Sequence, residues 1–418
     1  MIVFERIIKM ADCIIIGGGA AGLMAAVTAA DYGKSVILFE RNPRVGRKLL
    51  ITGKGRCNVT NNCVRDEFFD NIPCNSRFLY SAYSAFDCSD TMSFFENLGV
   101  PLKTERGNRV FPVSDRAEDI VIAFERAIKE RSDRITVKNA RVTEILAENG
   151  AVKGVSADGC VYNAPSVLIA SGGRSYPKTG SDGDGFRFAK AMGHKVVPLR
   201  PSLVPMVSEQ KWCSEAMGLS LKNVTLSLID GSDGKKLFSE MGEMLFTHFG
   251  VSGPLVLSAS GHIRKMERGR YRISIDLKPA LDEKTLDARI QRDFAENANR
   301  DFANSLGKLL PAKLIPVIVM LSGIPADKKV NQISRKERTE LLQLIKNLTV
   351  TVKDFRSIDE AIVTGGGVAV NEINPKTMES KVVSGLYFAG EVIDVDAYTG
   401  GFNLQIAFST GYAAGVNM

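Results

Sequence analysis

The stretch DCIIIGGGAAGLMAAVTAADYGKSVILFE, Asp12 to Glu40, decides the fold of this chain. An apolar run, Cys13 to Ile16, meets Gly17, Gly19 and Gly22 in G-x-G-x-x-G spacing. Small helix-forming residues follow, Gly33 closes the helix, and Ser35 to Phe39 reads as a second buried strand. The pattern predicts a β-α-β unit. The glycines permit a tight turn, close approach of the backbone to a pyrophosphate, and close helix-to-strand packing. The helix N-terminus, beginning at Ala20 and Ala21, offers unpaired N–H groups to the anion. Glu40 ends the second strand, where a carboxylate accepts hydrogen bonds from a ribose diol. A glycine triplet alone is a weak signal, but strand, triplet, helix, strand and terminal acid together predict dinucleotide binding.

Outward from this unit, strand-like segments recur. Ile135 to Ala170 is broken by turns at Glu148-Asn149-Gly150 and Asp158-Gly159 and ends in SVLIASGG, a buried strand running into Gly172 and Gly173. Far downstream, GLYFAGEVIDVDAYTGGFN gives another buried strand, an acidic turn at Glu391 and a glycine pair at Gly400 and Gly401, ahead of a helix of small residues. Two distant strands that end in glycine turns predict one discontinuous nucleotide domain. Between them, NVTLSLIDGSDGKKL and RYRISIDL alternate like antiparallel or barrel strands, residues 280 to about 348 read helical with a capping box at Ser334–Glu337, and LTVTV returns to strand character. The expected architecture is α/β: a Rossmann-like domain (1–198 plus 353–418), a small β-barrel-like insertion (199–279 plus 348–352) and a helical domain (280–347).

Composition excludes several classes. The 418 residues, 44% of them hydrophobic, suffice for two or three domains. The longest apolar runs, such as LIPVIVML from Leu314 to Leu321, fall well short of the roughly 20 residues of a membrane span. The opening MIVFERIIKM carries Glu5, Arg6 and Lys9 and has no cleavage pattern, so the first nine residues read as an upstream start or a frayed extension. Seven cysteines without a C-x-x-C pair suit reduced thiols and a cytoplasmic setting, and three histidines outside ligand spacing predict no metal. A net charge of +7 is compatible with an anionic cofactor, an acidic small molecule or RNA.

The loop TGKGRCN, Thr52 to Asn58, packs glycines and cations together, yet it is not a P-loop: Gly46 stands seven residues before Gly53, and Lys54 is followed by Gly55 rather than a hydroxyl. Its surroundings carry a resemblance. GGGAAG with Glu40, RKLLITGKGRCNVTN, LFTHFGVSGP at Leu245 to Pro254, VTGGGV at Val363 to Val368 and the terminal GLYFAGEVIDVDAYTGGFN together resemble a bacterial FAD-dependent oxidoreductase family, over nearly the whole chain. That family includes a 3-dehydro bile acid reductase of gut clostridia and a flavin-dependent enzyme that makes dihydrouridine in 23S ribosomal RNA.

The resemblance implies non-covalent FAD, with Gly17, Gly19 and Gly22 at the pyrophosphate and Glu40, followed by Arg41, at the adenosine ribose. It implies Gly172 and Gly173 at the second strand-turn, Gly390 and Glu391 toward the ribityl chain, and Gly400, Gly401, Phe402 and Asn403 near the flavin pyrimidine edge. Arg47, Lys48, Thr52, Gly53, Lys54, Gly55, Arg56, Cys57 and Asn58 would run past the pyrophosphate toward the isoalloxazine; a solvated basic loop is the alternative. Only one G-x-G-x-x-G is present, so NAD(P)H is expected to visit the flavin face as a transient donor.

Candidate acids are Cys57, His248, Tyr398 and Thr399, against ordinary packing roles for the thiol and the imidazole. The expected reaction is reduction of an electron-poor C=C bond, first in a 3-oxo bile acid or related steroid enone. Met206, Trp212, Met217, Phe246 and Phe249 would line an apolar cleft or simply pack the small domain. The alternative substrate is ribosomal RNA, favoured by cationic stretches such as KKVNQISRKER, Lys328 to Arg338. A third class is an FAD-containing redox-sensing or binding protein without turnover.

Overall fold

In a computed structural model, residues 6–418 are described, and the chain divides into two units: one ends at Ser202 and resumes over Ile358–Met418, the other is Leu203–Ser357. In the first unit five strands lie parallel in the order Leu386–Phe388, Ser166–Ile169, Cys13–Ile16, Val36–Phe39, Ile135–Lys138. The four central and flanking apolar runs are buried along their length, as a parallel sheet covered on both faces requires. Register pairs Ile16 with Ile169 on one side and with Phe39 on the other, so the turns after these three strands leave the sheet at one edge.

The helix Ala20–Asp31 is buried nearly all round, beneath the C-terminal helix Phe402–Asn417. A Cβ at Gly411 would lie 2.4 Å from the Ala21 carbonyl oxygen, so the two helices approach more closely than any side chain there would permit. Leu23 and Met24 are fully buried, and each such side chain contributes about 1.5–3 kcal/mol. A second sheet joins Val142–Glu148, Ala151–Ala157 and Cys160–Asn163 antiparallel, with Arg6–Met10 added parallel to the last. Part of the N-terminal extension is therefore a strand, and residues 1–5 lie outside the described residues.

The second unit is built on a closed six-stranded barrel: Met206–Ser208, Gly250–Ser252, Lys236–Thr247, Ser220–Asp230, Tyr271–Asp276 and Leu348–Phe355. Its helices include Glu283–Glu296 and Arg335–Lys346, the latter opened by the reciprocal Ser334–Glu337 cap. Barrel and helices share one core, in which Ile273, Ile275 and Leu348 pack with Leu286, Ile290 and Leu341. The helical stretch thus stands with the barrel rather than apart, because its apolar faces are buried in the barrel's own core. The unit boundaries fall at 202/203 and 357/358, a few residues beyond the expected 198/199 and 352/353.

Met206, Trp212 and Phe246 belong to this barrel core at 0%, 6% and 1% exposure, so they pack the unit rather than line a cleft, while Met217 faces solvent. Among the described residues no helix is long and apolar enough to cross a membrane.

Candidate cofactor site

The turn after Cys13–Ile16 is shaped by contact. Gly17 holds φ at +110°, and a Cβ at Gly22 would sit 1.9 Å from the Gly17 carbonyl oxygen, so both positions exclude a side chain. Gly19 differs: a Cβ there meets nothing within 4 Å, and as N-cap of the twelve-residue helix it provides no side-chain cap. The first N–H groups of the helix therefore face open space at its positive end, with no acidic residue in the first turn.

Glu40 curls back on the same turn. Its Oε2 accepts from the Gly18 N–H at 2.9 Å, and its Oε1 accepts from the Asn42 N–H at 2.8 Å and the Asn42 Nδ2 at 2.7 Å. Three acceptances leave lone-pair capacity on the carboxylate. Arg41 is spent elsewhere: it pairs with Asp182 and donates to the Gly180 carbonyl. Arg47 is exposed, donates to Asn42 Oδ1 at 2.8 Å and, among the described residues, has no carboxylate within ion-pair reach, so its charge is available to an anion beside the glycine turn.

Lys48 reaches across the sheet edge to Glu391 Oε2 at 2.6 Å and Ser175 Oγ at 2.7 Å. Glu391 Oε1 also accepts from the Thr364 N–H at 2.8 Å and Ser175 Oγ at 3.0 Å. Burial raises the Glu391 carboxyl, but Lys48 and these donors outweigh it and hold its pKa below the ordinary value. Glu391 is thus a junction between three loops. Gly173 lies against it, since a Cβ would come within 2.4 Å of Thr364 Oγ1 and 2.6 Å of Glu391 Oε1, and Gly172 turns at a φ of +74°. Gly390 packs against the start of the first helix, where a Cβ would meet that of Ala21 at 2.9 Å.

The Thr52–Asn58 loop is tightly wound. Gly53, Lys54, Gly55 and Cys57 take φ values of 56°, 60°, 84° and 57°, which for the two non-glycine residues costs about 1–2 kcal/mol each. Arg56 turns away from the sheet edge onto Glu105 and Asp115 and lies over the Phe111 ring at 4.2 Å; those carboxylates raise its pKa further. Thr52 Oγ1 donates to its own helix at Leu49 O, 2.7 Å. Cys57 is 0% exposed, and burial pushes its thiol up to about 12. A thiol so enclosed does not serve as a proton donor to a substrate; it packs the loop. Asn58 contributes differently, since its Oδ1 is buried without a hydrogen-bond partner.

The C-terminal helix begins at Gly401, which has no side-chain cap and lies so close to Thr60 that a Cβ would be 2.3 Å from the Thr60 carbonyl. Gln405 fixes this arrangement: its Oε1 accepts from Thr60 Oγ1 at 2.6 Å and Thr91 Oγ1 at 2.7 Å. Asn61 donates to the Gly400 carbonyl at 2.9 Å and leaves its own Oδ1 buried and unpartnered. Phe402 is buried beside Phe68. Asn403 clamps the preceding loop, accepting from the Ala397 N–H at 3.0 Å and donating to the carbonyls of Ala397 at 2.8 Å and Tyr398 at 3.1 Å. Tyr398 and Thr399 stay half-buried in that clamped loop. His248 belongs to the other unit, exposed at the turn between Lys236–Thr247 and Gly250–Ser252.

Sequence reading missed several members. Ser171 Oγ is a third buried oxygen without a partner, on the residue whose Cα lies 2.8 Å from a Cβ built at Gly17. Asn61 and Thr364 lay inside motifs already singled out, and only their partners were invisible. Arg200 had no signal, and Asp396 lay in the terminal motif without its partner: Arg200 Nη2 pairs with Asp396 Oδ1 at 3.0 Å, and Ser202 Oγ donates to Asp396 Oδ2 at 2.7 Å, across nearly two hundred residues.

The arrangement fits a flavin dinucleotide. The open cradle at Gly19, two uncapped helix starts, the uncommitted Arg47 and the orphaned oxygens of Asn58, Asn61 and Ser171 are what a ligand with a pyrophosphate and hydrogen-bonding polar edges would complete. Among the described residues no three metal-ligating side chains cluster.

Known proteins resemble the chain along nearly its whole length. The chain is 32% identical over 407 residues to the 3-dehydro-bile acid delta(4,6)-reductase of Clostridium scindens, covering 96% of this chain and 97% of the relative. It is 31% identical over 414 residues to the ribosomal RNA dihydrouridine synthase of Haemophilus influenzae, covering 98% and 99%. In fold it resembles the 3-ketosteroid-delta4-(5alpha)-dehydrogenase of Rhodococcus jostii RHA1, with a TM-score of 0.50 at 14% identity over 99% of this chain and 98% of that one. The likeness to the two relatives supports an oxidoreductase in outline. With a match across residues 11–417, it belongs to the HI0933-like protein Rossmann domain family.

Proposed function

We propose that this protein is an FAD-dependent reductase that takes electrons from NAD(P)H and saturates a C=C bond conjugated to a carbonyl. The observation that carries this reading is the end-to-end likeness to two relatives whose names describe one chemistry on different molecules. A 3-oxo steroid diene and a uracil ring both present a carbon made electron-poor by a conjugated carbonyl. The first-choice substrate is a 3-oxo bile acid or related steroid enone. RNA uridine is the second, favoured by the +7 net charge and the second relative.

Bound FAD would supply hydride to the electron-poor carbon. The protein's own residues do the rest. The Gly19 helix start and Arg47 would hold the pyrophosphate, and Glu40 would accept from the ribose. Asn58, Asn61 and Ser171 would direct their unpartnered oxygens to the cofactor's polar edges. The Lys48–Glu391 pair ties together the loops that form the cradle. Asn403 holds the main chain of Tyr398, whose phenol is the proposed proton donor to the second carbon. With Cys57 enclosed, attachment of FAD is proposed to be non-covalent. A cytoplasmic setting suits an NAD(P)H-dependent enzyme.

The test is anaerobic. Purified yellow protein is reduced with NADH or NADPH, and flavin reoxidation is followed on adding a 3-oxo-4-ene bile acid or ribosomal RNA lacking dihydrouridine. Rapid reoxidation by the steroid with a saturated product supports the first substrate. Reoxidation only by RNA, with dihydrouridine formed, supports the second, and reoxidation by neither removes the C=C reductase reading.

A further inference from the structure

The positive charge of this chain is unevenly held. Between Arg174 and Arg200, six lysines and arginines stand against two aspartates, a surplus of four within a total of +7. The more obvious cationic stretch, Lys328 to Arg338, is largely neutralised by the fold: Lys328 pairs with Glu337 at 2.6 Å, Lys329 with Asp301 at 2.7 Å, and Arg338 with Asp287 at 2.7 Å. The region from 174 to 195 is not. Arg174, Lys178, Lys190 and Lys195 are exposed, and none has a carboxylate within ion-pair distance among the described residues.

Three of the region's cations converge. A cavity of about 340 Å³ in the first unit is lined by Arg174, Arg187 and Lys190, with Asp182, Phe186 and Leu199. Its one acid is already matched, because Asp182 pairs with Arg41 and, at 3.1 Å, with Arg141. Arg187 is anchored to Asp184 at 3.2 Å and to the Thr143 carbonyl at 3.1 Å, which fixes its guanidinium. Arg174 and Lys190 thus present uncompensated charge over a floor that includes the buried Phe186 ring and a half-buried leucine. Like charges gathered without counterions raise the free energy of the empty protein, and a bound anion with several oxygens relieves it.

We infer that the Arg174–Arg187–Lys190 cavity binds a phosphate ester, as a site distinct from the glycine-turn cradle. Two sources carry that chemistry: the backbone of a single-stranded RNA and the 2′-phosphate of a nicotinamide dinucleotide. Both sources belong to the proposed function, as its second substrate and its electron donor, and the inference rests on that reading for their identity.

The test uses flavin-loaded full-length protein with two double variants of equal charge change, Arg174→Gln/Lys190→Gln in the cavity and Arg335→Gln/Lys336→Gln on the helix Arg335–Lys346 of the other unit. The probes are a fluorescent single-stranded RNA of about ten nucleotides and adenosine 2′,5′-bisphosphate. Unchanged melting temperature and flavin absorbance establish that each variant folds. If RNA is the source, the cavity variant binds it about tenfold more weakly and its log K against log salt flattens by about 1.4, which is 0.7 for each lost phosphate contact. If the dinucleotide is the source, affinity for the bisphosphate falls about tenfold instead. The helix variant keeps both affinities. Equal losses in both variants, or no loss in either, overturn the inference.

Discussion

The glycine turn Gly17–Gly22 and the loop Thr52–Asn58 look alike in sequence, each dense in glycine, yet the fold uses them in opposite ways. The turn keeps its backbone donors open, with nothing near a Cβ at Gly19. The loop closes on itself: Arg56 is committed to Glu105 and Asp115, Thr52 to its own helix, and Cys57 to the interior. A motif that works through main-chain geometry states its purpose in its spacing. One that works through long side chains does not, because the same arginine serves a phosphate or a neighbouring carboxylate depending on what the fold places opposite.

The sharpest way to break that contrast is inside the turn. Gly22→Val drives a side chain into the Gly17 carbonyl, which lies 1.9 Å from a Cβ, and we expect a loss of more than about 4 kcal/mol, read as failure to fold or a collapsed denaturation midpoint. Gly19→Leu is its counterpart. With φ at −86° and free space around it, the variant should fold with a near-normal melting temperature and purify colourless. A yellow Gly19→Leu protein would sink the assignment of the cradle.

Next in size, Asp396→Ala strands the guanidinium of Arg200, whose side chain is 14% exposed beside a carboxylate at 1%. Chemical denaturation should show a loss of about 3–5 kcal/mol, the usual cost of leaving a buried charge without its partner.

A smaller effect tests the Lys48–Glu391 junction through pH. The folded protein holds the Glu391 carboxyl below its ordinary 4.5, so its stabilisation is fully present above that value and is lost as pH falls toward the folded value. Between about pH 6 and about pH 3 the melting temperature of the parent should therefore fall more steeply than that of Glu391→Gln. Parallel curves would show that the pair contributes nothing to stability.

Smallest of all, Arg56→Ala and Cys57→Ala should retain full flavin absorbance and substrate turnover, since neither side chain faces the cradle. Loss of flavin in Arg56→Ala would mean that Arg56 serves the cofactor after all and would erase its contrast with the turn.

The β-α-β unit, the discontinuous domain and the barrel were legible in sequence because each rests on local periodicity and on glycines with steric reasons. The Ser334–Glu337 cap is local in the same sense, with both partners within one turn. The joining of the helical stretch to the barrel was not legible, since an amphipathic face does not say which core it enters. Nor was the packing role of Met206, Trp212 and Phe246, whose apolar character suits a cleft and a core equally.

By itself the sequence determined where main-chain N–H groups would be bare and where side chains had to be absent, because these follow from chain geometry over a few residues. Only tertiary structure decided how the charges are spent. Arg200 meets Asp396, Lys48 meets Glu391, and Lys328 meets Glu337, while among the described residues Arg174 and Lys190 have no carboxylate within ion-pair distance. An ion pair needs its partners within about 4 Å, and for residues far apart in the chain that distance is set by packing of the whole unit, a quantity no short stretch of sequence encodes.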